Sequence, residues 1–125
     1  MTSMTYATER PRLLSSSTLA GDKVKNPAGE SLGEIKDFMI DLATGRIAYC
    51  VLSFGGFLGI GNKLFAVPFN AMTVDTKDHA FILNADKESL KNAPGFDKDD
   101  WPDMTDREFG TRIYGYYKTT PYWEE

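Results

Sequence analysis

The pattern of apolar and polar positions changes character three times along the chain. Residues 1–12 are polar, carry no period and include Pro11, so they read as a loose N-terminal arm. Thr18-Leu19-Ala20-Gly21 reads as one helical turn stopped by glycine, Lys23-Val24-Lys25 as a short strand, and Asn26-Pro27-Ala28-Gly29 as a turn. Across Ser31 to Leu42 neither a period of two nor a helical period survives, because the apolar phase switches around Lys36 and Asp37. A strand bent by a bulge accounts for that switch better than a helix. Asp41 to Gly45 supplies a hairpin turn, with Asp41 free to accept local backbone hydrogen bonds and Gly45 free to take positive φ.

Ile47 to Phe54 is apolar at almost every position and rich in β-branched and aromatic residues, which is the mark of a strand covered on both faces. Lys63 to Phe69 is a second strand-like run, joined to the first by a connection holding Gly55, Gly56, Gly59 and Gly61. Ala71 to Asp75 and His79 to Leu83 flank the polar turn Thr76-Lys77-Asp78. Short strands joined in order by tight turns predict an antiparallel meander, and an apolar strand at its centre predicts closure into a small β-barrel.

The pattern then becomes helical. Asp86 is a suitable N-cap for a short helix from Lys87 to Asn92, ended by Pro94-Gly95. Thr105-x-x-Glu108 has the form of a capping box, and Phe109, Ile113, Tyr116 and Tyr117 fall on one helical face. Gly110 and Gly115 each weaken that helix by about 1 kcal/mol relative to alanine, so it must pack its aromatic face on the barrel or on a second subunit. The expected organisation is an arm over 1–12, a barrel over 13–85 and a helical, aromatic extension over 86–125.

Composition narrows the function classes. At 125 residues, 42% hydrophobic and 26% charged, the chain is a single globular domain with room for a real core. No apolar run approaches the roughly 20 residues that span a bilayer, and no apolar block follows Arg10 and Arg12 to act as a secretory signal, which places the protein in the cytoplasm. A net charge of -4 with no basic cluster argues against nucleic acid. The one cysteine, Cys50, lies in the most apolar strand and reads as a buried hydrophobe.

Three constellations invite chemistry and fail on spacing. The glycine cluster before Lys63 resembles a phosphate-binding loop, but Asn62 separates Gly61 from Lys63 and a strand follows where a helix is required. Asp97 to Glu108 has the length of a calcium loop, but Trp101 stands at its fifth position and Pro102 at its sixth, where an oxygen ligand and glycine belong. His79 is the one histidine and sits at a polar turn with no nucleophile at a recognisable elbow. No catalytic residue, cofactor or metal ligand is assigned.

A family resemblance covers Leu14 to Leu83. The series Gly29-Glu30-Ser31-Leu32-Gly33-Glu34-Ile35-Lys36-Asp37, then Asp41-x-x-Thr44-Gly45-Arg46-Ile47-x-Tyr49, Val51-Leu52-Ser53-Phe54-Gly55-Gly56 and Lys63-x-x-x-Val67-Pro68-Phe69 resembles the PRC-barrel domain. Leu90 to Phe96, and Tyr116-Tyr117 with Pro121-Tyr122-Trp123, are similar to the tail of stand-alone bacterial members. The resemblance implies a six-stranded antiparallel barrel with short C-terminal helices. It also implies a docking role, since the same domain type occurs in the cytoplasmic part of the photosynthetic reaction-centre H subunit and at the end of a ribosome maturation factor.

The expected function is a non-enzymatic module that binds itself or another protein. Phe57, Leu58 and Ile60 at the glycine-rich hairpin, with Tyr122 and Trp123 in the tail, are the expected partner-binding residues, being large apolar groups where a monomer has no use for them. The alternative is a sensor of a small ligand or anion at the same hairpin and the barrel mouth.

Overall fold

The computed structural model describes residues 5–6, 13–54, 63–75 and 78–124, with the backbone alone described at 5–6. Its strands are β1 (Thr5–Tyr6), β2 (Lys23–Lys25), β3 (Ser31–Asp41), β4 (Arg46–Phe54), β5 (Lys63–Pro68), β6 (Met72–Asp75), β7 (Ala80–Leu83) and β8 (Gly95–Phe96). Its helices are α1 (Ser16–Leu19), α2 (Lys87–Lys91) and α3 (Arg107–Tyr116), with 3₁₀ turns at Phe69–Ala71 and Tyr122–Glu124. All eight strands join one sheet in the order β1-β6-β7-β2-β3-β4-β5-β8.

This corrects the expectation of six antiparallel strands. β2 pairs parallel with β7, and β1 pairs parallel with β6. Both are contacts between segments far apart in the chain, which a hairpin-by-hairpin reading of sequence does not reach. The two added strands, β1 and β8, have two residues each and are too short to show any period. β1 lies inside the stretch read as an arm, and β8 inside the extension. Among the described residues no ladder joins β1 to β8, so the sheet is not closed by backbone hydrogen bonds. It is strongly curled nonetheless, because Phe65 and Val67 of β5 share one core with Met72 and Val74 of β6 and with Phe81 and Leu83 of β7.

The bends that permit this curl sit in β3. Its register against β4 shifts between Ile35 and Asp37 and again between Met39 and Ile40, the first of these at the expected bulge. The β3–β4 turn forms as its residues demand: Gly45 takes φ +78°, and the Asp41 carboxylate accepts from the Ala43 backbone N–H at 2.9 Å.

β4 is buried from Ala48 to Phe54. Cys50, Leu52 and Phe54 face the interior with Val24, Leu32 and Ile35, and Leu90 of α2 covers one end of that core. Ala48 and Tyr49, with Ala66 of β5, form a second cluster with Phe109, Ile113 and Tyr114 of α3. The Tyr114 hydroxyl donates to the Ala48 carbonyl at 2.6 Å, so the helix is tied to the strand by a buried hydrogen bond as well as by area. Cys50 is fully buried, and burial pushes its thiol pKa up.

The α3 cap and face also differ in detail from the expected ones. Asp106, not Thr105, caps the helix, its carboxylate accepting from the Glu108 backbone N–H at 3.0 Å, while the Thr105 hydroxyl is taken by Asp103. Packing on Ala48, Tyr49 and Ala66 buries Phe109, Gly110, Ile113 and Tyr114 and leaves Tyr116 exposed.

At Gly33 the backbone of β4 leaves no room for a side chain. The glycine has φ +119°, and a Cβ there would fall on the Ser53 carbonyl oxygen and within 3.2 Å of the Phe54 Cα. Backbone cannot swing aside as a flexible side chain can. Gly33→Ala is therefore expected to cost about 2 kcal/mol or more, comparable to Leu52→Ala in the core, when unfolding of both is followed in urea.

Candidate functional site

The described residues bring a cleft of about 470 Å³ to one end of the molecule, between the β3–β4 turn, the start of α3 and the C-terminal tail. One wall is Met39, Ile40, Leu42 and Ala43, and the opposite wall is Met104, Arg107, Tyr122 and Trp123, with Ala48 and Tyr49 between them. Leu42 is 94% exposed and Ile40 52%. A turn is normally polar, so a leucine standing clear of it at the lip of an apolar cleft is a feature without a use in the fold. The two methionines add adaptable, polarisable surface of the kind common at protein-binding grooves.

The tail that forms one wall is anchored at four places. The Asn70 side chain donates to the Thr120 carbonyl at 3.0 Å and accepts from the Thr119 hydroxyl at 3.1 Å. The Arg46 guanidinium donates to the Tyr122 carbonyl. The Tyr122 hydroxyl donates to the Asp41 carboxylate at 2.6 Å. Trp123 lies against Gly110, and the Arg107 guanidinium sits over its ring, 4.3 Å from the centroid. Its ring also meets Tyr114 edge-on at 5.7 Å between centroids.

Gly110 is thus required by close approach. A Cβ there would stand 2.7 Å from the Trp123 ring and 2.9 Å from the Tyr49 hydroxyl. Read from sequence it is only a weak point in a helix.

The electrostatics follow from the same contacts. The Asp41 carboxyl is held below its ordinary value, first by the Tyr122 hydroxyl and then by the Ala43 backbone N–H. Burial, and then the hydrogen bond to Asp41, raise the Tyr122 phenol. Burial pushes the Tyr49 phenol up to about 12.

Of the residues expected to bind a partner, Tyr122 and Trp123 line the cleft while resting on the chain's own surface, and both are half-buried. Phe57, Leu58 and Ile60, with the rest of the glycine-rich hairpin, lie outside the described residues. Met39, Ile40, Leu42, Met104 and Arg107 were not singled out from sequence. The one signal that could have found them is Leu42, a large apolar residue inside a turn.

The other sequence candidates are dispersed. His79 is exposed at a turn with φ +52°, where its charge partly offsets the burial that raises the carboxyl of Asp22. A second, more polar cleft runs past Leu83, Ser89 and Tyr117, and the buried Tyr117 hydroxyl has no hydrogen-bond partner among the described residues. Among the described residues, no group of three or more His, Cys, Asp or Glu side chains is placed to hold a metal ion, and no helix is long and apolar enough to cross a membrane.

Asp41 has a depressed pKa in the fold, so its contact with Tyr122 is fully present above the unfolded carboxylate value of about 4 and is lost as pH falls through the lower folded value. The Tyr122 pKa is raised, so the same contact weakens again as pH climbs past about 10. With Trp101→Phe as background, Trp123 emission should shift to the red at the acid end of this window, and Tyr122→Phe should remove that acid step. In α3, nothing lies within 4 Å of a Cβ at Gly115, so Gly115→Ala should gain up to about 1 kcal/mol, whereas Gly110→Ala should lose stability and release Trp123 despite the same intrinsic gain. Thermal unfolding of the two variants should therefore shift in opposite directions.

Compared with known proteins, the chain is matched by the family model described as PRC-barrel domain over residues 11–90. No curated protein matches it. The matched span runs from before α1 into α2, so one wall of the cleft is built from the family domain and the other from α3 and the tail beyond it.

Proposed function

The chain belongs to the PRC-barrel family, and on that premise we propose that it is a non-enzymatic docking module whose cleft binds protein, either a second copy of the chain or another polypeptide. The observation that carries this reading is the contiguous apolar lip of Leu42 and Ile40 beside Met39, Met104 and Trp123. Single exposed apolar residues are ordinary, but a continuous set rimmed by Asp41, Asp106 and Arg107 has the composition of an interface core with a polar edge. Aromatic residues, methionine and arginine are the types enriched at such surfaces.

Support also comes from how rigidly the wall is built. Trp123 and Tyr122 are held in place before anything binds, so a partner need not order them, and preorganisation of this kind lowers the entropic cost of association. Tyr122 and Trp123 therefore serve the partner as a fixed wall, and Leu42 serves as the projecting contact.

Leu42→Asp separates binding from folding, because the side chain is nearly fully exposed. The variant should unfold at the same temperature as the wild type to within about 2 °C, while losing at least tenfold in whatever association the wild type shows by cross-linking or co-purification. Equal association in the two proteins would remove the cleft from the function.

A further inference from the structure

Resting on the docking role of the cleft, we infer that its occupant is residues 55–62 of a second copy, so that copies join head to tail. Three stretches of four or more residues lie outside the described ones, 1–4, 7–12 and 55–62, and only the last carries several large apolar side chains, Phe57, Leu58 and Ile60. It is also free of charge, reading Gly-Gly-Phe-Leu-Gly-Ile-Gly-Asn, which suits the approach of two chains that each carry a net charge of -4.

The segment cannot serve the cleft of its own chain. It starts after Phe54 at one end of β4, and the cleft lip lies beside the β3–β4 turn at the other, where Asp41 pairs with Arg46. Nine residues of strand separate those ends, about 27 Å at the usual rise. Leu58 is four residues from Phe54 and reaches at most about 14 Å from it. The outer face of β4, the direct way back, is covered by Phe109, Ile113 and Tyr114 of α3.

A donor segment at one end of a strand and an acceptor cleft at the other make a heterologous contact. Repeated in one direction, such contacts give rings if the rotation closes and open chains if it does not, while reciprocal exchange between two copies closes a two-fold dimer. The contact is small, so the assembly is expected to be weak and to depend on protein concentration.

Heterologous geometry makes a complementation test possible. One variant, Leu42→Asp, has a damaged cleft and an intact segment; the other, Phe57→Ser with Leu58→Ser, has an intact cleft and a damaged segment. Sedimentation velocity over a concentration series should show wild type growing beyond a monomer and each variant remaining a monomer. An equimolar mixture should form a capped dimer, because one competent contact remains between the two variants and neither end can extend. Truncating Leu58 alone should weaken wild-type association about tenfold. Unchanged thermal unfolding of each variant shows that loss of assembly is not loss of fold, and Ile40→Ser stands in for Leu42→Asp if the latter is destabilised. A wild type that stays monomeric, or a mixture that does, overturns the inference. If the wild type is monomeric yet Leu42→Asp still loses a different bound protein, the docking role of the cleft stands and this occupant is wrong.

Discussion

β4 carries apolar side chains on both of its faces, so the fold has to cover it twice, and most of the architecture follows from how that is done. The inner cover is the sheet itself. A flat sheet of short strands could not wrap Cys50, Leu52 and Phe54, but bulges in β3 bend it until β5, β6 and β7 meet over one core. The outer cover is borrowed from the C-terminal extension, whose helix α3 places Phe109, Ile113 and Tyr114 on Ala48, Tyr49 and Ala66. Without that helix a large ring, Tyr49, and the edge of a hydrophobic strand would face water.

The cleft is a by-product of the second cover. α3 reaches the strand but not the whole of the β3–β4 turn, and the tail returns beside it to fill part of the gap. What remains open is bounded by side chains already fixed by other duties: Tyr122 by Asp41 and Arg46, Trp123 by Gly110 and Arg107. A binding surface assembled this way is rigid because its walls are structural. The family domain contributes one wall and the extension the other, so members with different extensions would present different clefts on one barrel.

Much of this was legible in sequence, for definite reasons. The continuous apolar run at Ile47 to Phe54 announced two-sided burial, the phase switch at Lys36 and Asp37 announced the bulge, and Asp86 announced the cap of α2, where its carboxylate accepts from the Ser89 backbone N–H at 2.7 Å. What escaped were features that depend on partners distant in the chain. Parallel pairing of β2 with β7 leaves no local mark. Gly110 looks like a defect until Trp123 is placed above it. Tyr122 and Trp123 read from sequence as groups for a partner, and their seat on the chain's own surface needed three-dimensional positions. Leu42 lies in a turn whose local sequence signals, Asp41 and Gly45, concern only the backbone, so the role of its side chain depends on what the fold brings beside it.

Cys50 carries a consequence of a different kind. It is the chain's one cysteine, it sits at the centre of the doubly covered strand, and its thiol is both inaccessible and held protonated. An alkylating reagent can reach it only when the inner core has opened, so the rate of thiol modification reports the population of the open form, and the opening rate itself where modification outpaces reclosing. The protein thereby contains its own clock for global opening, and motions confined to the tail, which cross neither β4 nor its inner cover, leave that clock running at the same rate.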